Sequence, residues 1–157
     1  MDKENTLYMD LDYGRVVIEM MPEVAPKHVA RIKELTRKGF YDGVKFHRVI
    51  PGFMAQTGDP TGTGMGGSGQ KLNAEFNDVS HQRGVVSMAR AMDPNSADSQ
   101  FFICFDDASF LDKQYTVWGR TICRWRKRPG CRCSQSHGLS SRMSPTLRHF
   151  RTILHRE

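Results

Sequence analysis

Leu7, Met9 and Leu11 alternate with Tyr8 and Asp10, and a few residues later Val16, Ile18 and Met20 alternate with Val17 and Glu19. A period of two sends every second side chain to the same face of a strand. Between the runs lies Asp12-Tyr13-Gly14, a turn sequence whose glycine tolerates positive φ. The pattern predicts a β-hairpin with one buried face.

The period then changes. Pro26 suits a first helical position, where its missing N–H would have no partner anyway. Val29, Ile32, Leu35 and Thr36 fall on one face at helical spacing, and Gly39 suits the residue just past a helix end. A helix is predicted over 25–38, with a basic, solvated outer face of Lys27, Arg31, Lys33, Arg37 and Lys38. Short strands are predicted over 45–50, 53–57, 85–89, 101–105 and 116–119. A long Gly-rich loop separates the second of these from the third. Many short strands and one early helix point to a mainly-β fold, an antiparallel sheet or barrel capped by the helix near 25–38.

A chain of 157 residues has room for one domain with a real core. Its net charge of +6 is unevenly placed: residues 121–157 hold nine Lys and Arg residues against the single acid Glu157, and the body is near neutral. Cysteines divide the same way, with Cys104 in the body and Cys123, Cys131 and Cys133 beyond it. One apolar cysteine in the body implies a reducing compartment. Asp2, Glu4, Asp10 and Asp12 interrupt any secretory pattern at the start, and no run approaches the ~20 apolar residues of a membrane span. The expectation is a cytoplasmic protein with no membrane partner.

Gly62, Gly64, Gly66, Gly67 and Gly69 crowd one loop, but a phosphate loop ends in Lys-Ser or Lys-Thr, and here Leu72 follows Lys71. The loop reads instead as an irregular segment bordering a groove. Cys123, Cys131, Cys133 and His137 lack the paired spacing of a zinc module. Trp125 between Arg124 and Arg126 is compatible with phosphate contacts, yet no nucleic-acid-binding fold accompanies it. No metal or cofactor is expected.

The stretch Phe46-His47-Arg48-Val49-Ile50-Pro51-Gly52-Phe53-Met54-Ala55-Gln56-Thr57-Gly58-Asp59-Pro60 reads as strand, Pro-Gly turn and strand. Met54 and Gln56 share a face that an arginine on the neighbouring strand can reach. Taken singly, Arg48 reads as a solvated strand residue, Phe53 and Met54 as core, and Phe101-Phe102-Ile103-Cys104 as a buried strand. Composition and spacing end there, at an antiparallel domain with a polar and apolar site.

The same stretch resembles the signature of the cyclophilin-type peptidyl-prolyl cis–trans isomerases, most closely those of the bacterial cytoplasmic type. Ser87-Met88-Ala89-Arg90-Ala91, Asp98-Ser99-Gln100-Phe101-Phe102-Ile103-Cys104 and Phe110-Leu111-Asp112 follow in the family's order and spacing. The resemblance implies an eight-stranded antiparallel β-barrel, incomplete here, with a shallow proline-binding groove on its outer surface. It implies Arg48 as the catalytic arginine and Gln56 as the polar residue that orients it. Phe53, Met54, Phe102 and Leu111 match the proline pocket. Ala89 and Arg90 match a strand edge that pairs with substrate backbone, and Gln100 matches a further groove contact. Phe110 stands where many members have Trp, which weakens the implied binding of cyclosporin-class ligands. Tyr115 stands where many have His, and Arg90 where many have Asn. His47 reads as structural.

The implied partners are proline-containing peptides and unfolded or folding proteins, with cyclosporin-class ligands bound weakly. A proline-peptide binding module with little turnover and an inactive, truncated family member are the alternatives. After Trp118-Gly119-Arg120 the family continues with a strand, a second helix and a closing strand, whereas residues 121–157 show neither alternation nor a helical stripe. The expected organisation is an isomerase domain over 1–120 and a divergent basic tail over 121–157 outside the family fold.

Overall fold

The computed structural model describes residues 3–12, 14–122 and 151–154. After a single 3-10 turn at Lys3–Asn5, strand β1 (Thr6–Leu11) and strand β2 (Gly14–Met20) form the predicted hairpin, with Leu11 opposite Gly14 and Leu7 opposite Ile18. Leu7, Met9, Ile18 and Met20 are buried, so the alternation does select the inner face.

Helix α1 spans Pro26–Arg37 and packs Val29, Ile32, Leu35 and Thr36 inward, as their spacing requires. Proline opens it. At its far end Gly39, at φ 69°, donates to Thr36 O and Phe40 N donates to Leu35 O, each at 3.0 Å. These two bonds satisfy carbonyls the last turn leaves unpaired. At the start no side chain of the helix's own cap does the equivalent work. Glu75, far along the chain, does it instead: its carboxylate accepts from Lys27 N at 3.2 Å and from His28 N at 3.0 Å, and lies 2.7 Å from His28 Nδ1. Arg31 corrects the expected solvated face. It is buried, held by Glu34 at 2.7 Å and by the Ser68 hydroxyl at 2.7 Å.

The remaining strands are β3 (Arg48–Ile50), β4 (Met54–Thr57), β5 (Val85–Met88), β6 (Phe101–Cys104), β7 (Val117–Ile122) and β8 (Arg151–Leu154). All eight join one sheet in the order β3-β4-β6-β5-β7-β2-β1-β8, and every pairing is antiparallel. Among the described residues no ladder joins β3 to β8, the two ends of the sheet. Sequence reading placed no strand beyond 119; in the structure β7 runs on to Ile122, and β8 pairs with β1, Leu7 opposite Leu154. Cys123, Cys131, Cys133, His137 and the basic residues from Arg124 to Arg148 lie outside the described residues.

One core fills the concave face. Trp118 meets Phe101 edge-on at 5.4 Å, and Phe101 meets Tyr41 in the same way at 5.7 Å. Alpha-helical Val29, Ile32 and Leu35 join them with Ala55, Val86 and Ile103 of the sheet. A second, smaller apolar cluster occupies the opposite face of the same strands.

Candidate functional site

The second cluster follows from strand geometry. Ala55, Phe101 and Ile103 face the main core, so their neighbours Met54, Gln56, Phe102 and Cys104 must face outward. Register aligns these outward residues in rows. Arg48 opposes Gln56, Gln56 opposes Phe102, and Phe102 opposes Ser87, giving one row across four strands. Ile50, Met54 and Cys104 form the next. The turn between β3 and β4 is Ile50-Pro51-Gly52-Phe53, closed by Phe53 N donating to Ile50 O at 3.1 Å with Gly52 at φ 73°. Pro then Gly at the central positions is the demand of a type II turn.

Met54, Phe102, Cys104 and Ala108 are the buried floor, and Ile50, Phe53, Ala89, Leu111 and Tyr115 pack around it half-buried. Phe110 lies over Phe53, ring centroids 5.5 Å apart, yet stays 64 % exposed. Tyr115 meets Phe102 edge-on at 5.7 Å. Arg90 sits with its guanidinium 4.8 Å above the Tyr115 ring and donates to the carbonyls of Gln114, Ala91 and Met92. The Ala89 N–H donates to Gln100 O at 2.9 Å, which engages that part of the strand edge already.

The polar side is built separately. Arg48 is exposed, and no described residue hydrogen-bonds or ion-pairs with its guanidinium. Gln56 Nε2 donates to Gln100 Oε1 at 2.9 Å, and Gln100 Nε2 donates to Gly64 O at 3.0 Å and Gly66 O at 2.8 Å. The Gly-rich loop thus borders the Gln56–Gln100 pair. Its own anchor is Asp59, fully buried. Burial alone would raise that carboxyl, but the Thr61 hydroxyl and the N–H groups of Thr61, Gly66 and Gly64 outweigh it and hold Asp59 far below the usual carboxylate range. His47 lies beside this loop with both ring nitrogens buried. Burial pushes its pKa down.

The eleven residues singled out from the sequence adjoin one patch on this outer face: Phe53, Met54, Ala89, Phe102, Leu111 and Tyr115 meet in the second apolar cluster, Phe110 stacks on Phe53, Arg90 lies over Tyr115, Gln56 bonds Gln100, and Arg48 stands opposite Gln56 on the neighbouring strand. Sequence reasoning missed what stands behind it. His81 is fully buried, stacks on Phe102 at 6.1 Å and 15°, and bonds Asp112 and Ser87. Asp112 and Ser87 were in the quoted motifs, but nothing periodic connects them to His81. Among the described residues no His, Cys, Asp and Glu cluster suits a metal ion, and no helix is long and apolar enough to cross a membrane.

The family described as "Cyclophilin type peptidyl-prolyl cis-trans isomerase/CLD" matches residues 6–125. A Brucella suis protein named "Probable peptidyl-prolyl cis-trans isomerase" is 53% identical over 133 residues, covering 77% of this chain and 68% of its own length. A Synechococcus elongatus peptidyl-prolyl cis-trans isomerase is 45% identical over 113 residues, covering 72% of this chain and 77% of its own. Among solved structures, a Cryptosporidium parvum cyclophilin-type isomerase determined in the presence of the dipeptide Ala-Pro aligns with TM-score 0.77 and 28% identity, over 97% of this chain and 99% of that one. A Hirschia baltica cyclophilin aligns with TM-score 0.70 and 34% identity over 76% of this chain, which spans 64% of that protein's length.

Proposed function

The chain belongs to the cyclophilin-type peptidyl-prolyl cis–trans isomerase family, and we propose that it rotates X–Pro bonds in the groove on the outer face of β3, β4 and β6. Rotation is slow because amide resonance must be broken, at a barrier of about 18–20 kcal/mol. The two X–Pro isomers differ by only about 1 kcal/mol, and uncatalysed exchange takes tens to hundreds of seconds. In the twisted transition state the imide nitrogen becomes pyramidal and regains a lone pair. A donor aimed at that nitrogen stabilises the twisted form over either planar one. Arg48 supplies a permanently charged, rigid fork.

Magnitudes assign the rest of the work. Sub-second turnover needs a factor of at least ~10³, about 4 kcal/mol at ~1.36 kcal/mol per decade. A hydrogen bond to a charged group contributes a net ~1.5–3 kcal/mol. The remainder falls to the apolar wall of Phe53, Met54, Phe102 and Leu111, which grips the proline ring while the preceding carbonyl swings and, with substrate seated, lowers the local dielectric around Arg48. Gln56 orients the guanidinium, and Arg90 offers backbone to an extended substrate. The chemistry asks for no covalent intermediate and no acid–base pair.

One observation carries this reading: the unpaired Arg48 guanidinium stands in register with Gln56 and Phe102, on the face that holds the second apolar cluster. The substrates are proline-containing segments of peptides and folding proteins. The Ala-Pro dipeptide named with the Cryptosporidium relative supports that class. Action as a folding helper in the cytoplasm fits a body whose one cysteine, Cys104, is a free thiol.

Exchange NMR on an Ala-Pro peptide tests it. The protein broadens the lines of both isomers, and Arg48→Ala lowers kcat/KM by roughly 10- to 160-fold, the equivalent of ~1.5–3 kcal/mol. Binding without accelerated exchange would overturn the reading in favour of a proline-peptide binding module.

A further inference from the structure

We infer that Asp59 is a positioning residue for isomerisation: its buried carboxylate sets the direction of a hydrogen-bond chain that leaves the Gln56 amide oxygen, and not its nitrogen, toward Arg48. The inference rests on the proposed role of Arg48 and adds a residue outside the groove.

The direction follows from donor and acceptor bookkeeping. An ionised carboxylate can only accept. Asp59 Oδ2 takes the N–H of Gly64 at 2.6 Å, of Gly66 at 3.1 Å and of Thr63 at 3.1 Å, and Oδ1 takes the N–H of Thr61 at 2.8 Å. With their N–H groups turned to Asp59, the same two glycines turn their carbonyls to Gln100, at 3.0 and 2.8 Å. Carbonyls only accept, so the Gln100 group facing them must be its NH₂, with both hydrogens used. Gln100 Oε1 is then the atom facing Gln56, and the Gln56 group 2.9 Å away must be its NH₂. That leaves Gln56 Oε1 as the end of the chain. Gln56 lies directly opposite Arg48 across β3 and β4, where facing side chains start only about 4.5–5.5 Å apart. The guanidinium makes no hydrogen bond to it in this structure, but an oxygen at that position is an acceptor that can hold the fork when it turns toward a bound proline. A nitrogen there would set donor against donor.

The construction also explains why the loop needs glycine. A Cβ on Gly66 would stand 2.2 Å from Asp59 Oδ1, so a side chain there would displace the carboxylate. Asparagine cannot replace Asp59, because one oxygen cannot serve both sets of N–H groups and its NH₂ would face donors.

The test reads the side-chain amides. In ¹H–¹⁵N spectra the Gln56 and Gln100 NH₂ pairs of the whole chain are displaced from exposed glutamine and exchange slowly. In Asp59→Asn both pairs collapse toward exposed glutamine while resonances of the main core stay dispersed. The kcat on an Ala-Pro peptide falls by about tenfold with KM nearly unchanged, as expected when a transition-state contact is lost and binding is not. A folded Asp59→Asn protein with both NH₂ pairs unmoved overturns the inference. If that variant does not fold, Thr61→Val is read in its place. It deletes only a hydroxyl donor to the carboxylate and leaves the Gly64 and Gly66 N–H groups on Asp59, so both pairs should keep their displaced shifts, and pairs that collapse in a folded Thr61→Val protein overturn the inference. The amide readout needs no turnover, so it separates this inference from a failure of the Arg48 reading.

Discussion

His81 stacks near-parallel to Phe102, and its two ring nitrogens tie that contact to the segment after Leu111 and to strand β5: Nδ1 is 2.8 Å from Asp112 Oδ1 and Nε2 is 3.0 Å from Ser87 Oγ. Asp112 directly follows Leu111, and the His81 N–H also donates to it at 2.8 Å. One buried side chain therefore joins the floor ring to the segment that bears the rim. His81→Phe keeps the stacking and removes both ring bonds. The protein is expected to lose roughly 2 kcal/mol, in line with ~1–3 kcal/mol for each buried polar group left unpaired. KM for an Ala-Pro peptide rises more than kcat falls. Chemical denaturation and progress curves measure the two; a variant as stable as the parent contradicts the clamp.

Acid sensitivity should come in two stages. Burial lowers the pKa of His28, outweighing the pull of Glu75. For Glu75, burial alone would raise the carboxyl, but the His28 ring and the N–H groups of His28 and Lys27 bring it below its ordinary value. Both folded values lie below the unfolded ones, so each group adds stability at high pH that is lost as pH falls. For His28 the loss begins near its ordinary 6.5, with His47 acting in the same direction. For Glu75 it begins near 4.5. Melting temperature should be level above neutrality, decline through the first range and drop again through the second. His28→Gln should shrink the upper stage. Glu75→Gln should shrink the lower one and cost about 1 kcal/mol at neutral pH as a lost helix cap. A wild-type profile flat from pH 7 to pH 5 refutes the histidine contribution.

The Cys104 thiol is pushed up to about 12 by burial, with Asp112 adding to the effect. A thiol so far above neutrality presents almost no thiolate. Mass mapping after alkylation at pH 8 should find the Cys104 peptide unlabelled in native protein and labelled in denaturant. Labelling in the native state would mean that the groove floor opens.

Phe110 covers Phe53 while remaining mostly exposed, so a larger ring can replace it without disturbing the floor. Phe110→Trp should tighten binding of a cyclosporin-class ligand by about tenfold, near the upper end of what an added aromatic contact contributes. Stability should change by no more than ~0.5 kcal/mol, as for other surface substitutions. Titration calorimetry decides; unaltered affinity would show that the ligand does not rest on this ring.

Features with a local rule were legible in the sequence. Alternation gave the β1 and β2 hairpin, and helical spacing with Pro26 and Gly39 bounded α1 to within a residue at each end. Resemblance brought Arg48, Gln56 and Phe102 together, and register places them in one row. What escaped depends on polar pairs distant in sequence. Arg31 sits at a position that helical spacing leaves ambiguous, and only Ser68 and Glu34 make its burial tolerable. Glu75 caps a helix 47 residues earlier, and His81 meets Asp112 31 residues later. Such contacts have no period. Strand β8 has no long alternating run to announce it, since its four residues gain their place only from the edge that β1 offers.

The partition made by β4 and β6 has a consequence for how this protein can change. Residues odd in one register hold the molecule together, and their immediate neighbours meet the outside world. Substitutions at 54, 56, 102 and 104 can therefore retune what the groove accepts while 55, 101 and 103 go on securing the interior, so selectivity and solidity can drift along separate paths even though they are written in alternate letters of the same few words.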